Sequence, residues 1–343
     1  MAVALALDPT DFALDVESSP EPPARLGGYM ILDRLAEGGM AAIFRGQDIR
    51  TGALVALKTV SSPLPSQIEG LDREIAMLRH LQHPGIVRLL GDGIWNGLPW
   101  LALELLDGAT LFEEIATLWA TDTTRAGVRA SSRAHGQQEP SPASWALTLD
   151  GDPALAPPRR TPAAGRLGAA LAPIVRLAAA LDHIHDHGIV HRDLKPENVV
   201  VSPGGHVTLL DFGLACWPRQ RARTEPKRWR MGTAEYAAPE QTRGDRVDAR
   251  ADLYALGCIL YEIVTGCRPF DGISPDDIVQ QHLECDPRPP SELVAGLSWK
   301  LEDLILALLA KEPRRRPRRA GAVAAALLRL VPAADLQHEA GPP

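Results

Sequence analysis

The chain has 343 residues with ordinary apolar and charged fractions, 45% and 23%, enough to bury the core of one large domain or two lobes. Its 36 basic against 43 acidic residues leave a net charge of -7, which argues against a general nucleic-acid binder that must neutralise many phosphates. The four cysteines, Cys216, Cys258, Cys267 and Cys285, form no C-x-x-C pair, the usage expected of reduced thiols in a cytoplasmic protein.

Residues 1–28 read as a flexible leader of Pro, Glu, Ser and Gly with few large apolar groups. Its opening, Met1 to Leu7, lacks a basic flank and runs into Asp8, so a signal peptide is not expected. From Tyr29 strand-like runs follow, Met30 to Ala36, Ala42 to Gln47 and Leu54 to Val60, with Thr51-Gly52 as a hairpin turn. Leu71, Ile75, Leu78 and Leu81 then recur at helical spacing over Gln67 to Leu81. Two more strands, Ile86 to Leu90 and Pro99 to Leu105, complete a five-stranded sheet with one helix, a small α+β lobe over residues 29–106. Residues 117–164 lack periodicity and are rich in Ala, Arg, Ser, Thr and Pro. They read as a disordered insertion in which Trp119 and Trp145 are minor candidates for docking anchors.

Residues 107–331 are otherwise mainly helical. Helical periods run over Ala169 to His187, Ala251 to Thr265, Ser298 to Leu309 and Ala320 to Leu330, with short strands at Val199 to Val201 and Val207 to Leu210. The most apolar stretch, Leu167 to Leu181, holds Pro173 and Arg176, so no membrane span is expected. Residues 332–343, ending in Gly-Pro-Pro, read as a frayed tail.

Five local sequences carry chemistry. Ala36-Glu37-Gly38-Gly39-Met40-Ala41-Ala42-Ile43 joins two strands, and glycines at such a tip let backbone N–H groups approach phosphate oxygens. Val55-Ala56-Leu57-Lys58 ends in a lysine able to reach α- and β-phosphates, with Glu74 on the next helix as its ion-pair partner. In His191-Arg192-Asp193-Leu194-Lys195-Pro196-Glu197-Asn198, Asp193 can accept a hydrogen bond from a substrate hydroxyl, Lys195 can neutralise a γ-phosphate and Asn198 can ligate metal. Asp211-Phe212-Gly213 adds a carboxylate suited to hard Mg²⁺. Gly232 to Tyr236, running into Ala238-Pro239-Glu240, closes the loop that starts at Asp211. A held triphosphate, metal neutralisation and an in-line hydroxyl are what phosphoryl transfer requires.

Over about Tyr29 to Leu330 the chain resembles Hanks-type protein kinases, and its Gly-Gly-Met loop, Lys195 and Thr233 resemble the bacterial serine/threonine members. The resemblance implies a bilobal α+β fold and transfer of the ATP γ-phosphate, with Mg²⁺, to Ser/Thr hydroxyls of protein substrates. It implies catalytic roles for Asp193, Lys195, Lys58 and Glu74, and metal binding by Asn198 and Asp211. Nucleotide contacts would come from Ala36, Glu37, Gly38, Gly39, Ile43, Ala56, Lys58, Val200 and the linker Glu104 to Leu106, with Leu103 as gatekeeper. Asp252 and Gly257 match the helix beneath the catalytic loop, and Arg316 matches the arginine that pairs with Glu240. Ala36 and Ala41 stand where the family's nucleotide loop has its first and third glycines, and Ile43 where it has valine. Thr224, between Asp211 and Glu240 and among Arg219, Arg221, Arg223, Lys227, Arg228 and Arg230, is the expected loop phosphosite, with Arg192 as its partner; autophosphorylation in trans in signalling is compatible with a homodimer.

Two rivals are a pseudokinase scaffold, against which stand Lys58, Glu74, Asp193, Asn198 and Asp211, and a small-molecule phosphotransferase, which would lack the segment from Gly232 to Glu240. A zinc site at His183, His185 and His187 is disfavoured, because only the first and last share a helix face. Asp182 and Asp186 are expected to face solvent, His185 to pack at the helix end, and Cys216 to be structural. The Arg314 to Arg319 run is expected to hold one structural arginine on a solvated face.

Overall fold

A computed structural model describes residues 24–37, 41–61, 63–120, 159–160, 164–217 and 234–331. Gly38, Gly39, Trp145, Thr224, Gly232 and Thr233 lie outside the described residues, as do residues 332–343.

Short runs of apolar residues build an antiparallel sheet from β1 (Arg25–Leu26), β2 (Tyr29–Glu37), β3 (Ala41–Asp48), β4 (Leu54–Val60), β5 (Leu89–Trp95) and β6 (Leu98–Glu104), in the order β1-β2-β3-β4-β6-β5, with β3, β4 and β6 buried along most of their length. The turn at Thr51-Gly52 forms as expected, with Gly52 at φ 75°. Among the described residues the sheet has six strands rather than five. Arg25 and Leu26, which the sequence places in the leader, pair with Met30 and Tyr29, and Leu26 is fully buried. The strand expected at Ile86 to Leu90 starts instead at Leu89 and continues to Trp95, turning at Asn96 and Gly97, both with positive φ. Ile86 makes an isolated bridge to Leu209, tying the two lobes together. Helix α1 (Pro65–Leu78) lays Leu71, Ile75 and Leu78 against the sheet.

The second lobe starts at β7 (Ala109–Thr110) and α2 (Leu111–Trp119). Thr110 caps α2: its hydroxyl accepts from the Glu113 amide at 3.2 Å, and the Glu113 carboxylate accepts from the Thr110 amide at 2.8 Å. Trp119 belongs to this helix and not to a surface insertion, because its Nε1 donates to the Ile263 carbonyl at 3.1 Å. Beyond residues 121–158, β8 (Arg159–Arg160) pairs in parallel with β11 (Val294–Ala295). Helix α3 (Ala164–Asp186) contains Pro173, and over Arg166–Asp186 it is long and apolar enough to cross a membrane. In this fold it is a core helix, with Ile174, Leu177, Ala178, Leu181 and Ile184 all fully buried.

Strands β9 (Val199–Val201) and β10 (Val207–Leu209) join β7 in a small second sheet. Among the described residues, the remaining α-helices are α4 (Pro239–Thr242), α5 (Arg250–Thr265), α6 (Pro275–Glu284), α7 (Pro290–Leu293), α8 (Trp299–Leu308) and α9 (Ala320–Leu328). Helix α5 is buried along nearly its whole length. A Cβ on its Gly257 would lie 2.7 Å from Cβ of Leu308, so only glycine admits α8 at that distance. Asp182 and Asp186 do not face solvent alone. Arg319 binds Asp182 at 3.0 Å and Asp186 at 2.7 Å and so fastens α9 to α3. The arginine run thus supplies two structural residues, Arg316 and Arg319.

Candidate active site

Sheet, α1 and the two loops around β9 and β10 converge on one cleft. Lys58 enters from β4, where alternation turns its side chain toward α1. Its Nζ donates to Glu74 Oε2 at 2.8 Å and to Asp211 Oδ1 at 3.3 Å, and both Lys58 and Glu74 are buried. Burial pushes the Glu74 carboxyl up to about 7, against the pull of Lys58. Burial disfavours the Lys58 ammonium, but the carboxylates of Asp211 and Glu74 outweigh it and hold the amine above its ordinary value. Asp211 is likewise opposed by burial yet lies below the usual carboxylate range, because of Lys58 and the Gly213 amide, which donates at 3.1 Å.

The loop from His191 to Asn198 hangs between α3 and β9 and is fixed from below. Asp252, buried on α5, accepts the backbone amides of His191 at 2.9 Å and Arg192 at 2.8 Å, and His185 Nε2 at 2.8 Å. Burial alone would raise this carboxyl; His185 and the amides keep it below the usual range. Arg192 and Asp211 take left-handed backbone conformations, φ 69° and 56°. Such residues cost about 1–3 kcal/mol each and persist where the surroundings over-determine them. Arg192 is held by Asp252 at its amide and by the Gln241 side chain at its carbonyl, 2.9 Å away. His191 is fully buried and donates from Nε2 to the Leu210 carbonyl at 2.9 Å.

Asn198 Nδ2 donates to the Asp193 carbonyl at 2.8 Å and to its Oδ2 at 3.3 Å, and the Leu210 amide donates to the Asn198 carbonyl at 2.8 Å, which sets this pair next to Asp211 and its Lys58 partner. Lys195 sits in the same loop, just before the turn Pro196–Asn198. The oxygen donors of Asn198 and Asp211 suit a hard divalent cation. A small apolar cleft lies beside them, lined by Ala56, Val87, Leu103, Leu106, Val200 and Leu210, with Glu104 and Leu105 at the linker. Ile43, expected over the adenine, is buried in β3 and outside the residues lining this cleft. Ala36 pairs with Ile43 and Glu37 with Ala42, so β2 and β3 lead up to the glycine tip.

Three contacts were not anticipated from the sequence. Arg73 Nη1 donates to the Gly213 carbonyl at 2.7 Å, linking α1 to the turn after Asp211. Gln241 holds Arg192 as described, and Arg268 holds Glu235 at 3.1 Å. A lone polar residue one turn from a motif gives no sequence signal for such a pairing. His185 turns to Asp252 while the His183 and His187 rings lie tilted with centroids 4.4 Å apart, so the three histidines do not converge.

The family model described as protein kinase domain matches residues 169–328, the helical lobe. The serine/threonine-protein kinase PknB of Mycobacterium leprae is 33% identical over 316 residues, covering 90% of this chain and 44% of that protein. The chain belongs to the Hanks-type serine/threonine protein kinases. The PknB of Mycolicibacterium smegmatis is 34% identical over 88% of this chain and 43% of its own length. The DNA damage-responsive serine/threonine-protein kinase RqkA of Deinococcus radiodurans is 35% identical over 87% and 39%. This Hanks-type chain thus spans less than half the length of these curated relatives. A second model, described as phosphotransferase enzyme family, matches residues 52–218. The bilobal α+β architecture is that of the kinase family.

Proposed function

We propose that this chain is a serine/threonine protein kinase that moves the γ-phosphate of ATP to Ser/Thr hydroxyls of proteins. The observation that carries the proposal is Lys58, buried between Glu74 and Asp211 and on the same cleft as Asp193 and Asn198. In this reading Lys58 orients the α- and β-phosphates, and Ala36, Glu37 and the glycine tip cover them. Ala56, Val200 and the linker Glu104 to Leu106 receive the adenine. Asn198 and Asp211 would hold Mg²⁺, which supplies neutralisation of phosphate charge. Asp193 orients the attacking hydroxyl and accepts its proton, while Lys195 balances charge on the transferred group. Autophosphorylation at Thr224 between two copies is part of the proposal. Its support is that Arg192 Nε is buried without a hydrogen-bond partner among the described residues, beside the loop that carries Asp193.

The test is incorporation of radiolabel from γ-labelled ATP into a Ser/Thr peptide library and into the chain itself. Asp193→Asn should lose about 10²- to 10⁴-fold while keeping the fold by circular dichroism. The match to the phosphotransferase family favours a second reading, transfer to a small-molecule alcohol. The buried Glu240–Arg316 pair and the ordered segment 234–242 favour the protein acceptor, since they build a platform beside Asp193. Label in small alcohols with none in the peptides would reverse the choice.

A further inference from the structure

His282 is fully buried in the last turn of α6, yet both of its ring nitrogens are engaged. Nδ1 lies 2.8 Å from the Tyr254 hydroxyl on α5, and Nε2 lies 3.1 Å from the Glu235 carbonyl. Because that carbonyl can only accept, Nε2 carries the proton. Nδ1 can then only accept, so Tyr254 donates. The imidazole is thereby fixed in one neutral tautomer and one orientation. Its surroundings agree: the Phe270 ring meets it edge-on at 4.8 Å, and Lys311, itself over Phe270, donates to the His282 carbonyl at 2.8 Å. Burial, helped by the Lys311 charge, lowers the ring to about 3, so it stays uncharged at any working pH.

Glu235 begins the short segment that leads through Tyr236 and Ala238 to Gln241, and Gln241 holds the Arg192 carbonyl next to Asp193. The far end of that segment is fastened by Glu240 to Arg316. Its near end has Glu235, whose carboxylate takes Arg268 and whose carbonyl takes His282. We infer that His282 is a positioning residue for the acceptor substrate: with Tyr254 it fixes the height of the segment 234–238 on which a protein substrate is laid before Asp193. This rests on the kinase reading above for its substrate, and on the geometry alone for the segment.

The experiment uses the full chain with His282→Leu, which keeps bulk but makes neither bond, and His282→Gln, whose amide offers one donor and one acceptor. In His282→Leu the KM for a peptide substrate should rise about tenfold, the loss expected of one buried hydrogen bond, while the KM for ATP holds. His282→Gln should recover most of it. Tyr254→Phe, a milder change, covers the case in which His282→Leu does not fold, and should raise the peptide KM severalfold. Amide exchange in residues 234–238 should quicken about tenfold in His282→Leu or, failing that, in Tyr254→Phe. Equal rises in both KM values, or unchanged exchange in residues 234–238, would overturn the inference. Wild-type chain that transfers no phosphate would sink the kinase reading, and the exchange measurement would still decide whether His282 sets the segment.

Discussion

Lys58 serves two carboxylates at once, and the titration of one of them governs when it can do so. Glu74 sits at about 7, above the ordinary carboxylate range, because its charge is buried. As pH falls through about 7 it takes a proton and the ion pair with Lys58 is lost. Phosphate transfer should therefore show an acid limb near 7, and Glu74→Gln should replace it with a lower, flatter profile. The stability sign is opposite. A carboxyl raised in the folded state contributes most below its unfolded value and loses that contribution as pH rises through the folded one. Melting temperature should thus hold or rise from pH 8 to 6 while activity falls, and parallel losses would refute the assignment to Glu74. Lys58→Met should abolish transfer and, because it leaves the Glu74 carboxyl buried without its cation, should also lower the melting temperature. These residues were legible before the fold was known, because Lys58, Glu74, Asp193, Asn198 and Asp211 stand in ordered local sequences. His282, Gln241 and Arg73 were not, because each acts through a contact with a backbone carbonyl distant in sequence.

Among the elements, α5 is the post on which the catalytic loop stands. Asp252→Asn keeps the shape but weakens charged hydrogen bonds to two backbone amides and to His185. A loss of about 2 kcal/mol is expected, read as a fall of roughly 4–8 °C in melting temperature for a domain of this size. Because Asp252 is held below the usual carboxylate range, its contribution is present at neutral pH and fades only as pH falls through its folded value. Gly257→Ala should cost about 1–3 kcal/mol, since the added methyl meets Leu308 at 2.7 Å. β2, β3, β4, β6 and the long helices were readable from period, whereas β5 was placed too early and β1, with two residues, is too short for any period. Two signals stood in plain sequence unused: Asn96-Gly97 for the β5–β6 hairpin and Thr110-x-x-Glu113 for the start of α2. Asp186 is exposed as expected and Asp182 partly so, but their pairing was not readable because the partner, Arg319, lies more than a hundred residues away.

Across the whole molecule, buried charge sets the docking of the platform on the helical lobe. Arg316 makes two bonds to Glu240, at 2.6 and 2.8 Å, with both side chains almost wholly buried. Arg316→Leu strands the Glu240 carboxylate and should cost about 3–5 kcal/mol; adding Glu240→Leu should return much of that, measured by denaturant midpoint. A single substitution no worse than the double would show that the pair is not isolated from water. The grip of Arg73 on the Gly213 carbonyl has a different kind of consequence. Together with Lys58, it makes α1 and the Asp211–Gly213 turn move as one piece, so the position of α1 and the state of the cleft are thermodynamically reciprocal. Whatever factor a protein pressing on α1 adds to nucleotide affinity, nucleotide must add to the affinity of that protein. An inhibitor that needs α1 displaced would be antagonised by the same partner, to a degree set by its own preference for the displaced state.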